Sequence, residues 1–113
     1  MPTFTASSHQ APTNGTTDVE LVAAPASGTV RVVKSIIVNN IDTASATVNV
    51  QLKKASTYYS LAKITLAAGD RLTLDEDDMQ ALDATDESIV VDLAGTVTTN
   101  ELDCVATWGD YTS

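Results

Sequence analysis

Residues 75–87 read DEDDMQALDATDE; seven of the thirteen are Asp or Glu, and none is Lys or Arg. Carboxylates at this density can do two kinds of chemistry. They can supply the hard oxygen ligands that calcium takes from one loop, or they can work in pairs as general acid and base. The twelve-residue calcium loop needs Gly at its sixth position and Glu at its twelfth. Counted from Asp75, those positions hold Gln80 and Asp86. Asp75, Asp77 and Asp78 are left as candidates for a looser calcium site at one end of a domain. The plainer reading is a solvated loop between strands, kept soluble by its charge. Glycosidase chemistry needs a cleft and an aromatic platform, and only 4% of the chain is aromatic.

The remaining reactive side chains are isolated. Cys104 is the one cysteine and His9 the one histidine. Cys104 falls in an alternating apolar run and reads as a small core residue; His9 falls in a polar N-terminal stretch and reads as a polar contact. A metal site built on His or Cys is not available from one of each. The glycines of AAGDRL (67–72) and AGTVTT (94–99) lack the spacing of a phosphate loop, and no Ser sits in a G-x-S-x-G elbow. The sequence thus points to no catalytic residue, cofactor or enzyme.

Charge separates further classes. The net charge is −9 over 113 residues. Phosphate neutralisation needs clustered Lys and Arg, so neither a nucleic-acid nor an anionic-membrane partner is expected. The six bases, Arg31, Lys34, Lys53, Lys54, Lys63 and Arg71, precede residue 72, and the eleven acids from 75 onward have no base among them. Two opposite patches, one of them formed by Lys53, Lys54, Lys63 and Arg71, could meet head to tail between copies. The opening residues MPTFTASSHQAPTNGTTD have no basic n-region or apolar h-region, so no signal peptide is expected. The length suits one domain, folded without disulfide or structural metal.

The elements that must position these residues read as strands. Residues 1–17 are rich in Ser, Thr and Pro around a single Phe4, and predict an extended arm, with 18–113 as the domain. VELVAAP (19–25) is a strand stopped by Pro25. TVRVVKSIIVNN (29–40) is β-branched, with Val30, Val32, Ile36 and Val38 on one parity and Val33 and Ile37 on the other. Lys34 breaks that pattern, so either a bulge flips the strand or Lys34 meets solvent. A strand apolar on both faces is central or contacts a partner. ATVNVQLKK (46–54) alternates, with Val48, Val50 and Leu52 inward. YYSLAKITL (58–66) switches parity between Leu61 and Ile64, a second bulge candidate. RLTL (71–74), MQAL (79–82), SIVVDL (88–93) and ELDCVATWGDY (101–111) follow, with Met79 and Leu82, then Ile89, Val91 and Leu93, then Leu102, Cys104, Ala106 and Trp108 inward. Seven or eight short strands with turns between them predict an all-β fold, a two-sheet antiparallel sandwich of jelly-roll or Ig-like type. Candidate interface residues are Phe4, His9, Lys53, Lys54, Tyr58 and Tyr111. Phe4 has nothing local to pack on, and of the adjacent Tyr58 and Tyr59 one must face outward.

The stretches VELVAAPASGTVRVVKSIIVNN, TVNVQL, LAKITLAAGDRLTLD and LDATDESIVVDLAG, spanning residues 19–95, resemble small virion structural proteins of tailed bacteriophages. The resemblance implies a non-enzymatic β-sandwich made in the bacterial cytoplasm and carried in the virion. A capsid decoration (cement) protein is the leading role. A neck, tail or fibre component is the alternative, and a calcium-dependent carbohydrate-binding module is the alternative from another class. The implied partners are the major capsid protein or other virion proteins, and other copies of the chain, with a trimer first because shells offer three-fold positions. The arm is expected to reach onto a neighbour.

Overall fold

A computed structural model of the chain describes residues 3–75 and 81–112. They form nine strands: β1 (Thr3–Thr13), β2 (Val19–Val22), β3 (Thr29–Asn39), β4 (Ala46–Lys54), β5 (Thr57–Leu66), β6 (Arg71–Asp75), β7 (Ala81–Leu82), β8 (Glu87–Leu93) and β9 (Leu102–Thr112). One sheet runs β1-β9-β3-β6, with β7 also on β3; the other runs β2-β8-β4-β5, and all pairings are antiparallel. Apart from β7 the pairing is nested. β1 lies on β9, β2 on β8, β3 on β6 and β4 on β5, as if one long hairpin folded at residues 55–56 had been rolled up. That winding is the jelly roll, and it decides between the two sandwich types expected.

The core is aliphatic because alternating Val, Leu and Ile from both sheets meet between them. Val48 and Val50, then Ile89, Val91 and Leu93, then Leu102, Cys104 and Ala106 are all buried as the alternation requires, with Leu52 and Trp108 packed against them. Both expected bulges are present. The β3·β9 register shifts between Val33 and Ser35, so Lys34 is the extra residue. Val33 is buried on one side of it, and Ile36 and Val38 on the other. Val30 and Val32 are thereby turned to the outer face, which the plain parity pattern did not anticipate. The β4·β5 register shifts so that Leu61 is the extra residue. Ile64 shares the inner face with Val48 but stays exposed, because β5 is the edge of its sheet. A further shift at Leu21 in β2 puts Leu21 and Val22 both in the core. Met79 lies outside the described residues, whereas Leu82 is buried as expected.

The expected arm requires correction. Residues 3–13 are extended, but they pair with β9 of the same chain along their whole length, from Thr3 opposite Thr112 to Thr13 opposite Leu102. They are an edge strand of the sandwich, a position that also accommodates Pro12.

Loops at one end are fixed by a buried polar node. Asn40 donates from Nδ2 to the carbonyls of Ala44, Leu66 and Ala67, and its Oδ1 accepts from the backbone N–H of Asp42. The Asp42 carboxylate accepts from the backbone N–H groups of Thr43, Thr98, Thr99 and Asn100, at 2.8–3.1 Å. The Thr98 N–H leads the backbone donors that hold its carboxyl down to about 2 against desolvation. The β3–β4, β5–β6 and β8–β9 connections are thus tied to two side chains.

Candidate interaction surfaces

Strand register assigns the paired strand residues to an inner or outer sheet face, since directly opposed residues share a face. The outer face of the β2-β8-β4-β5 sheet is polar. It carries Tyr58, Lys53 and Ser88 in one row, Ser60, Gln51, Val90 and Glu20 in the next, and Lys63, Asn49 and Asp92 in a third. Tyr58 donates from its hydroxyl to Asp18 at 2.6 Å, and the Lys53 ammonium lies 5.6 Å from its ring centre. Its pKa is raised, first by the hydrogen bond to the Asp18 carboxylate. Tyr58 is therefore the outward tyrosine, while Tyr59 shares the inner face with Leu52 at the open edge.

The outer face of the other sheet is of another kind. Its three long strands contribute five rows: Phe4–Tyr111–Val30, Ala6–Gly109–Val32, Ser8–Thr107–Ser35, Gln10–Val105–Ile37 and Pro12–Asp103–Asn39. Asp103 carries the one carboxylate in these rows, Lys34 is the bulge residue of β3 between Val33 and Ser35, and Arg71, Thr73 and Asp75 of β6 continue the rows of Asn39, Ile37 and Ser35. Phe4 (51% exposed), Tyr111 (42%) and Val30 (39%) make an apolar end. Phe4 finds its partner at the other end of the chain. Its ring lies 4.9 Å from that of Tyr111 and leans over Gly109, where a side chain would collide with it.

Other expected residues separate. His9 is on the inner side of exposed β1 and lines a cleft of about 410 Å³ with Ser7, Glu20, Leu21 and Trp108. Lys54 is exposed at the β4–β5 hairpin. The supposed basic patch is split, with Lys53, Lys54 and Lys63 on one sheet and Arg71 on the other. Asp75 ends β6, and Asp77 and Asp78 lie outside the described residues. Among the described residues no three His, Cys, Asp or Glu side chains gather as a metal site requires. Cys104 is buried, and burial pushes its thiol up to about 12, which suits a core residue and opposes a nucleophilic role.

A half-buried charged cluster escaped the sequence reading. Arg31 donates from Nε and Nη2 to the two oxygens of Asp110, at 2.8 and 3.0 Å, and from Nη1 to the Ala23 carbonyl at 2.7 Å. Its guanidinium lies 5.0 Å from the Trp108 ring centre. Arg31 faces inward because it opposes Asp110, two positions before Val33 on the same side of the bulge. Its place on an otherwise apolar strand was the only signal.

No known family description and no curated protein sequence matches the chain. Solved structures do share its fold. A chain from a study of Bacillus endospore appendages, described as disulfide-linked pili, aligns with a TM-score of 0.57 and 13% identity over 99% of this chain and 90% of that one. The protein PirA aligns with a TM-score of 0.56 and 15% identity over 89% and 92%. A chain of the cyanophage Pam1 capsid asymmetric unit aligns with a TM-score of 0.52 and 13% identity over 99% and 86%. At such identities the likeness is one of fold.

Proposed function

We propose that this chain is a non-enzymatic structural protein of a tailed-phage virion, a decoration protein that binds and stabilises the assembled head. The observation that carries the proposal is the contrast between its two outer sheet faces. One carries Lys53, Lys63, Glu20, Asn49 and Gln51 across its strands; the other exposes Phe4, Val30 and Tyr111 together at one end, away from Asp103, Arg71 and Asp75. Apolar side chains gathered on one sheet face of a small acidic protein suit a contact surface. The residues whose chemistry stood out serve the fold instead: Asp42 ties loops, Arg31 and Asp110 pair, and Cys104 is core. The resemblance of residues 19–95 to small virion proteins supports the same role. So does the shared fold with a capsid component of comparable length. Repetition over a shell would multiply contacts that are individually weak.

Immunogold labelling of purified particles tests the proposal. Label over the heads is the expected result, and heads lacking the protein should rupture at lower temperature. Label at the neck or tail would move the protein to that part of the virion. Particles that carry no label would end the virion reading. Deleting the first strand is a poor test, because removing residues 3–13 would uncover the edge of β9.

A further inference from the structure

We infer that the free edge of β1 is where two copies of this chain join, each adding its first strand to the other's β1-β9-β3-β6 sheet. The inference stands on the strand edges and does not rest on the virion reading.

A sheet edge presents unpaired N–H and C=O groups, and proteins blunt such edges with short strands, bulges or charged side chains. Among the described residues three of the four edges are blunted in this way. β2 is four residues long with a register shift at Leu21. β5 is bulged at Leu61 and carries Lys63. β6 is five residues long and bounded by Arg71 and Asp75. β1 is different. It runs eleven residues against β9 without a register shift, and TFTASSHQAPT holds no Lys, Arg, Asp or Glu. Pro12, near one end, is its only blunting device. Residues 4 to 10 are all exposed, and among the described residues no strand pairs with the second edge. Such an edge takes another extended strand.

The strand that fits is a second β1. An unstructured peptide would lose roughly 1–2 kcal/mol of backbone freedom per residue on being extended there, whereas β1 of another copy is already extended against its own β9. Each copy carries −9, and like charges set against each other are costly. Along β1 two copies meet without that cost. In an antiparallel pair centred on Ser8 the whole strand overlaps. Ser8 then lies opposite the partner's Ser8, Ala6 opposite the partner's Gln10 and Phe4 opposite the partner's Pro12. On the inner face Ser7 lies opposite the partner's His9 and Thr5 opposite the partner's Ala11. Opposed residues of equal parity keep the inner faces of both sheets on one side. Glu20 is the carboxylate of the cleft beneath the centre of the strand, and the pairing brings both copies' His9 to that centre. The two-fold axis makes the contact isologous and closed. Eleven residues give about 37 Å of paired edge; with no packed sheet face behind it, the contact belongs to the weak class and forms at high local concentration.

The test is sedimentation of the full chain over a concentration series, with Ser8→Lys, Ser8→Glu, their equimolar mixture and Lys63→Gln beside it. Ser8 is exposed, so both variants should fold, and thermal melts verify it. A concentration-dependent dimer is expected. Either Ser8 variant sets like charges directly opposite each other and should weaken it roughly fivefold. The mixture should associate at least as tightly as wild type, because lysine then faces glutamate; a strand that pairs elsewhere, or with another protein, gives no such rescue. Lys63→Gln changes the net charge by as much as Ser8→Glu but lies on β5, and should leave the dimer unchanged. A chain that stays monomeric, a mixture no tighter than its components, or an association lost in Lys63→Gln would overturn the inference.

Discussion

Replacing Arg31 by Met should be among the most damaging single changes available outside the aliphatic core. Methionine keeps the length and apolar stem of the side chain while removing every donor. The Asp110 carboxylate would lose both of its guanidinium bonds, at 2.8 and 3.0 Å, and the Ala23 carbonyl would lose a third donor. Arg31 and Asp110 are only 14% and 21% exposed, so water replaces the two bonds to Asp110 poorly, while the exposed Ala23 carbonyl can turn to water. Breaking a fully buried pair costs about 3–5 kcal/mol; the residual exposure here brings the expectation down to about 2–3 kcal/mol, with the lost stacking on Trp108 contributing about 0.5–1 kcal/mol of it. For a chain of this length that corresponds to a fall in melting temperature of roughly 6–15 °C. Calorimetry reads the fall, and the emission of Trp108, the one tryptophan, should shift as the guanidinium leaves its ring. Adding Asp110→Leu should restore most of the loss, because an apolar pair of similar volume is often as stable as a buried ion pair. An Arg31→Met protein melting within about 2 °C of wild type, or a double variant no better than the single one, would refute the reasoning.

The Asp42 carboxyl is lowered from 3.8 to about 2, so its stabilising effect is complete above the unfolded value near 4 and is lost as pH falls through about 2. Acid melts should steepen in that window for wild type and flatten for Asp42→Asn, which should also melt lower at neutral pH. Ala55 holds a positive φ of 54° at the first position of the two-residue β4–β5 turn, a place that favours Gly. Ala55→Gly should therefore stabilise by about 0.5–1 kcal/mol, read from a urea midpoint. Cys104, with its thiol pushed up to about 12, should resist a thiol-reactive dye in native buffer and react only at the rate of unfolding; prompt labelling of folded protein would contradict its burial.

What the residue pattern could reveal was local. The alternation in 46–54, 88–93 and 102–108 predicted which side chains enter the core, and Lys34 amid β-branched neighbours pointed to either a bulge or a solvent contact, between which the register shift at Lys34 decides. The first strand was read as an arm because TFTASSHQAPT has no apolar alternation; an edge strand held by backbone bonds to β9 needs none. Phe4 looked unpartnered because its partner, Tyr111, is at the other end of the chain. Lys53, Lys54, Lys63 and Arg71 looked like one patch because they are near in sequence, yet the roll sends Arg71 to the other sheet.

By itself, then, the sequence determined an all-β sandwich with an aliphatic core and marked Lys34 and the Leu61–Ile64 stretch as places where a bulge could fall, because each depends on side-chain periodicity and backbone preference within a few residues. It also withheld the usual chemistry, since isolated Cys and His residues can be counted without a structure. Only the tertiary structure decided that the strands roll into nested pairs rather than an Ig-like order, and that Arg31 meets Asp110 across 79 positions and Asp42 meets Thr98–Asn100 across 56 to 58. It alone decided that one outer face is polar and that the other gathers Phe4, Val30 and Tyr111 at one end. Such pairings are chosen by backbone hydrogen bonds and chain topology between distant segments, and neither leaves a periodic trace in the residues that make them.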